Sequence, residues 1–245
     1  MIPKIIHYVW LGHGTQSDTI KKCIGSWHDI LADYEIKCWD ESSYDISSAP
    51  TFVKEAYSSH QWAFAADYVR LWALNQYGGI YLDTDVEVRR SLDSFLHYRL
   101  FMGTQTFLTQ TDKRTTRLNT NLSIGVIGCE AKHPYIQECI HYFDNIGFID
   151  KKDSTKVSNY DMAELLESYG YENKDQRQSL SDGIEIFPST VFADRLSPSP
   201  SAECYTYHWG EMSWFHPKKR GLFYKICWKL DLMRLYHWIE QIRQK

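Results

Sequence analysis

Ala66-Asp67-Tyr68-Val69-Arg70-Leu71-Trp72-Ala73-Leu74-Asn75-Gln76-Tyr77-Gly78-Gly79-Ile80-Tyr81-Leu82-Asp83-Thr84-Asp85 is the run whose reading decides the fold. Its first two-thirds is the end of an apolar, alanine-rich segment beginning near His60, and it reads as a helix to Tyr77. Gly78-Gly79 supplies the stop. Ile80-Tyr81-Leu82 then reads as a short buried strand with Asp83 and Asp85 at its end. Asp67 and Arg70 lie three apart and share a helix face. Charges inside so apolar a segment are placed for a reason.

Outward from this run the chain keeps alternating helix and strand. Ile5–Trp10 is a β-type stretch closed by Gly12 and Gly14, a helix follows through Ile20, Ile24, Trp27 and Leu31, and Tyr34–Trp39 reads as a second strand. Strand, helix, strand predicts a parallel α/β unit. Further strands are expected at 100–103, 123–128 and 184–187, and helices at 134–146 and 161–169. Residues 151–156 and 172–181 read as polar loops.

The composition narrows the class. Of 245 residues, 43% are hydrophobic and 24% charged, with nine Trp, 17 Tyr and 11 Phe. That excludes a disordered chain, and the length suits one large domain or two small ones. A net charge of −4 argues against nucleic acid as a partner. The six cysteines are scattered with no C-x-x-C pair, so buried free thiols are expected. The N-terminus lacks the pattern of a signal peptide, and no spanning run occurs, which predicts a cytoplasmic protein. The charge is uneven: 218–245 holds eight Lys/Arg against Asp231 and Glu240, a net of +6. The segment reads as a basic, aromatic C-terminal helix after a catalytic domain of residues 1–217. An anionic membrane surface or a partner protein is its expected contact, which would place the chain peripherally on the inner face of the cell membrane.

Two carboxylates two residues apart on extended backbone point to one side, and Glu87 would join them if the extension continued. Such a group repels itself unless a cation joins it, and hard oxygen ligands suit Mg²⁺ or Mn²⁺ with room left for phosphate oxygens. His7, inside an apolar strand, reads as a hydrogen-bonded core histidine, and Trp62 and Trp72 read as packing residues.

The quoted run, with the opening Ile2–Gly12 and the C-terminal His208-Trp209-Gly210-Glu211-Met212-Ser213-Trp214, resembles the family-32 glycosyltransferases. That family includes initiating mannosyltransferases and capsular polysaccharide enzymes, with a remoter similarity to clostridial glucosylating toxins. The resemblance implies a GT-A-type nucleotide-binding α/β sheet and a retaining hexosyltransferase. The donor would be a nucleotide sugar, UDP-linked by preference or GDP-linked, and the acceptor a glycan or lipid-linked sugar of surface polysaccharide synthesis. By position, Trp10 would flank the nucleobase, Asp67 the ribose or sugar hydroxyls, and Arg70 the sugar or diphosphate. Tyr81, Ser213 and Trp214 would lie by the diphosphate, and Asn121 by the sugar or acceptor. Asp83 and Asp85 would hold Mn²⁺ (or Mg²⁺), with His208 closing the shell and Glu211 as the alternative ligand. The chain departs from the family's usual pattern at Ala66, often Ser, and at Trp209, often a second His. Two other readings compete: a phosphatase or phosphotransferase with the first Asp of D-x-D as nucleophile, and a non-catalytic sugar-nucleotide-binding module. The first expects its motif on the first strand with a hydroxyl four positions on, where this chain has Glu87.

Overall fold

The computed structural model describes residues 1–110, 116–148, 158–197 and 204–211, with Ile226, Cys227, Leu230 and Leu232 beyond them. In chain order the elements are β1 (Ile5–Val9), α1 (Asp18–Ile30), β2 (Glu35–Trp39), α2 (Thr51–Ser58), α3 (Trp62–Tyr77), β3 (Gly79–Leu82), β4 (Val86–Val88), β5 (Leu100–Gln110), β6 (Thr116–Cys129), α4 (Pro134–Asp144), α5 (Ser158–Glu167), β7 (Gln178–Ser179), β8 (Ile184–Phe187), β9 (Phe192–Asp194) and β10 (Thr206–His208).

Local chemistry explains the elements that matter most. Ser17 caps α1, its hydroxyl accepting from the Ile20 N–H, and Ile20, Cys23 and Trp27 form the inward stripe. Helix α3 buries Ala65, Tyr68, Val69, Leu71, Ala73 and Leu74 around the polar pair Asp67 and Arg70. It stops at Gly78, whose N–H donates to the Leu74 carbonyl. Gly78 and Gly79 have φ of 62° and 108°. A Cβ would stand 2.7 Å from Ala131 N at the first and 2.6 Å from Ile5 O at the second. Only glycine fits both backbones, and α3 passes straight into β3.

The main sheet has seven strands in the order β2-β1-β3-β6-β5-β8-β7. Strand β1 is parallel to β2 and β3, β6 runs antiparallel between β3 and β5, and β5 is parallel to β8. A smaller sheet, β4-β10-β9, stands beside it. One hydrophobic cluster joins the main sheet to α2, α3, α4 and α5, and includes Tyr81, Met102 and Ile127. The other collects Ile6, Ile80, Leu82, Phe101 and Val126 with Trp27 of α1. Alternate residues of β3 thus enter opposite cores, as expected for a strand buried on both faces.

The fold is therefore a single mixed α/β domain with a central sheet flanked by helices, as the helix–strand alternation predicts. The opening β1-α1-β2 unit is parallel, and α3 lies within the expected helix. Helix α2 and strands β4, β9 and β10 are additions to that reading, and the loop expected at 172–181 is corrected in part, since Gln178–Ser179 pairs with β8 as β7. One local expectation is corrected. Asp83–Asp85 is not extended: β3 ends at Leu82, and the Val86 N–H donates back to the Asp83 carbonyl at 2.9 Å, making a turn. Glu87 consequently sits on β4, away from the two aspartates and against Lys22, Arg89 and the Trp209 indole N–H. The loop expected at 151–156 lies outside the described residues, as does nearly all of the 218–245 helix. Among the described residues, no helix is long and apolar enough to cross a membrane.

His7 is fully buried between β2 and the α3–β3 turn. Its Nδ1 accepts from the Trp39 indole N–H at 3.1 Å, so Nε2 carries the proton and donates to the Gly78 carbonyl at 2.7 Å. Desolvation disfavours the imidazolium and brings the pKa down to about 4. Above an ordinary histidine value near 6.5 the ring is neutral folded or unfolded. As pH falls from there toward 4, only the unfolded chain takes the proton. Up to about 3 kcal/mol of stability is then lost. Urea unfolding of wild type and His7→Gln at pH 7.5 and pH 4.5 tests this, and the variant should show a clearly smaller acid loss.

Candidate functional site

The site forms where α3, the β3–β4 turn, β6 and β10 meet. Asp67 and Arg70 face the sheet from the middle of α3, where Asp67 is 6% and Arg70 5% exposed. One Arg70 terminal nitrogen, Nη2, is bound to Asp67 Oδ1 at 2.5 Å. The other, Nη1, donates to the Ile124 carbonyl at 2.7 Å and lies 3.3 Å from Asp83 Oδ1. The guanidinium also covers the Tyr81 ring, 4.5 Å from its centroid, and the Tyr81 hydroxyl donates to Asp83 Oδ1 at 2.8 Å. Burial opposes the arginine's charge, but Tyr81, Asp83 and Asp67 outweigh it and keep the group cationic. Burial likewise holds the Tyr81 phenol in its protonated, donating form.

Asp85 and His208 complete the arrangement. Strand β10 pairs with β4 so that His208 stands opposite Val86, next to the turn. His208 Nε2 is 3.0 Å from Asp85 Oδ1 and 3.8 Å from Asp83 Oδ2. Desolvation works against the imidazolium, yet the two carboxylates, Asp85 foremost, raise its pKa to about 9. Burial likewise opposes the Asp85 carboxylate. The charge and hydrogen bond of His208 and the Glu211 backbone N–H, 2.7 Å from Oδ2, overcome it and hold Asp85 below its usual range. One ligand atom from each of Asp83, Asp85 and His208 falls within 4.8 Å of the others. Two carboxylates and an imidazole, partly open to solvent, form a donor set that fits a divalent cation of the Mn²⁺ type.

The structure places the other residues singled out by sequence as follows. Glu211 is not one of the converging three. Its backbone clamps Asp85, and its carboxylate accepts from the Ser17 hydroxyl at 2.8 Å, tying the β10 end to the start of α1. Asn121 is buried on β6, its side-chain oxygen held by the Leu122 N–H. Trp10 follows β1, half-buried, and its indole N–H donates to the Gly14 carbonyl. The loop it opens is seated on Trp62, against which a Cβ at Gly12 would come to 2.5 Å, and is pinned by the Gly12 N–H donating to Glu41. Ser213 and Trp214 lie outside the described residues.

Sequence reasoning missed Ser17, Glu41 and, beside the converging three, Gly125. A Cβ there would stand 2.9 Å from Asp83 Oδ2 and 3.1 Å from the His208 ring. The signal available was a glycine inside a predicted strand, which marks a bulge or a close approach.

Residues 17–102 match the family described as a glycosyltransferase sugar-binding region containing a DXD motif. The chain is similar to an uncharacterised glycosyltransferase of Acanthamoeba polyphaga mimivirus, 27% identical over 87% of this chain and 84% of that protein. It is also similar to inositol phosphoceramide mannosyltransferase 3 of Schizosaccharomyces pombe, 31% identical over 60% of this chain. The chain spans 38% of the length of that mannosyltransferase. The solved PaToxG glycosyltransferase superposes with a TM-score of 0.48 at 18% identity, over 68% of this chain and 69% of that one. Asp83-Thr84-Asp85 is the D-x-D within the matched region.

Arg70→Met should expose the cost of this assembly. It leaves Asp67 buried without its cation and should lower folding stability by about 3–5 kcal/mol in chemical denaturation.

Proposed function

We propose that the chain is a metal-dependent hexosyltransferase with a GT-A-type sheet. It moves a hexose from a nucleotide-sugar donor to a glycan or lipid-linked acceptor, with retention of configuration. The convergence of Asp83, Asp85 and His208 carries the reading. These three would hold Mn²⁺, or Mg²⁺, and the ion would offset the negative charge that grows on a departing nucleoside diphosphate. The chain's own cation, Arg70, is fixed by Asp67 and the Ile124 carbonyl before any ligand arrives. It therefore meets the developing charge without reorganising. Tyr81 holds Asp83 in register with Arg70.

The donor loop from Trp10 to Gly14 supplies an aromatic for the base, seated on Trp62 and Glu41. Ser213 and Trp214 would reach the diphosphate from the chain beyond Glu211. The names of the mannosyltransferase relatives put mannose first among hexoses to try, and an inositol phosphoceramide first among lipid acceptors. Surface polysaccharide synthesis is the setting we favour.

We also infer peripheral attachment of 218–245 to an anionic membrane, on the cytoplasmic face. Its net charge of +6 and the exposure of Ile226, Leu230 and Leu232, at 44, 60 and 40%, support this.

A screen of UDP- and GDP-hexoses, with hydrolysis as readout, tests the enzymatic reading. The expected outcome is turnover abolished by EDTA, restored by Mn²⁺, and absent in Asp85→Ala. Activity retained in that variant would remove the D-x-D from the mechanism. A binding module would instead show metal-dependent thermal stabilisation by UDP or GDP with no hydrolysis. Charge reversal of Lys218, Lys219 and Arg220 to Glu should abolish flotation with phosphatidylserine vesicles, and unchanged flotation would refute the membrane assignment.

A further inference from the structure

Strand β6 does not run evenly beside β5. Met102 is opposite Ile127, but the next residue, Gly103, is opposite Ser123. Ile124, Gly125 and Val126 therefore stand between two consecutive ladder partners, a three-residue bulge on the β5 side. On the other side the pairing with β3 continues unbroken through Leu82 opposite Val126. A bulge frees backbone groups from the ladder and re-aims them. Here the Ile124 carbonyl accepts from Arg70 Nη1 at 2.7 Å and the Gly125 carbonyl from the Asp83 N–H at 2.9 Å. The first of these carbonyls, on the β5 side, is freed by the bulge and holds the Arg70 guanidinium, and the second, on the unbroken β3 side, anchors the Asp83 backbone.

Gly125 does this with its bare Cα turned to the converging side chains. A methyl there would meet Asp83 Oδ2 at 2.9 Å and the His208 Cε1 and Nδ1 at 3.1 Å. Neither neighbour can step aside freely. Asp83 is held through its other oxygen by Tyr81 and Arg70, and His208 is held by Asp85. The backbone needs no glycine for its own conformation, since Gly125 is not among the positive-φ residues. Space beside the two side chains is what requires it.

We propose that the Ile124–Val126 bulge, with Gly125 at its centre, is the positioning element of the Asp83–Asp85–His208 metal site. Gly125 keeps the gap through which Asp83 and His208 face one ion. This rests on the metal-binding reading above. Added bulk at position 125 should separate the two ligands and weaken the metal while leaving the sheet in place. Mutations around a metal's first ligands typically weaken affinity by about 10–100-fold.

The test is Mn²⁺ binding, followed by electron paramagnetic resonance, to wild type and Gly125→Ala, with melting of both in EDTA. The expected result is Mn²⁺ affinity weakened by about tenfold or more in Gly125→Ala, with metal-free melting close to wild type. Equal Mn²⁺ affinity in the folded variant would overturn the inference while leaving the metal reading intact. Failure of wild type to bind Mn²⁺ would overturn both. Should Gly125→Ala not fold, it is combined with His208→Ala, which removes two of the three crowded atoms. Recovery of the fold supports crowding through the imidazole, and no recovery overturns the inference.

Discussion

Asp83 and Asp85 are brought together by a tight turn, and their mutual repulsion is the constraint the rest of the structure answers. Arg70 stands on one side of the pair and His208 on the other. Neither cation is nearby in sequence terms alone. Arg70 arrives because α3 ends in two glycines and feeds β3 without a loop, so that one helix turn lies over the strand's end. His208 arrives because β10 adds to β4, the strand that leaves the turn. The bulge in β6 supplies the floor between them. Burying charges of this kind is costly unless each is paired and hydrogen-bonded, and the site meets that cost with backbone carbonyls as well as side chains.

Much of this was legible in the chain. The apolar run around Asp67 and Arg70, the double glycine and the strand before Asp83 each carry their own local signal, and these signals agree. Agreement of propensity, pattern and turn chemistry is what makes an element readable. The D-x-D itself misled. Its spacing suggests extended backbone, whereas a hydrogen bond from Val86 to Asp83 closes a turn that no residue type in Asp-Thr-Asp-Val demands. Glu87 followed that error to the wrong side. His208 was readable only by likeness to a family, because its partners lie more than a hundred residues earlier. Gly125 was not singled out, because a glycine in a strand says that something comes close without saying what.

The aromatic residues divide in the same way. Trp39 and Tyr77 pack against His7 near the C-terminal end of α3, and Trp72 packs edge-on to Trp39. Trp62 carries the Gly12 loop, and Tyr81 serves both as a face for Arg70 and as a donor to Asp83. Tyr207 of β10 and Trp209 just after it flank His208, and the Trp209 indole donates to Glu87. A composition that at first says only that the chain has a core thus also describes which parts of that core support charge.

The wide separation of His208 from the two aspartates also has a meaning for synthesis. During translation the two aspartates emerge long before the histidine, and β4 waits for a strand that is made more than a hundred residues later. Pairings of this span are slow, because a long loop must close before any contact rewards it. The three side chains converge only once β10 pairs with β4. A chain cut short before β10 has the two aspartates but not the histidine, so the cluster of the three never assembles.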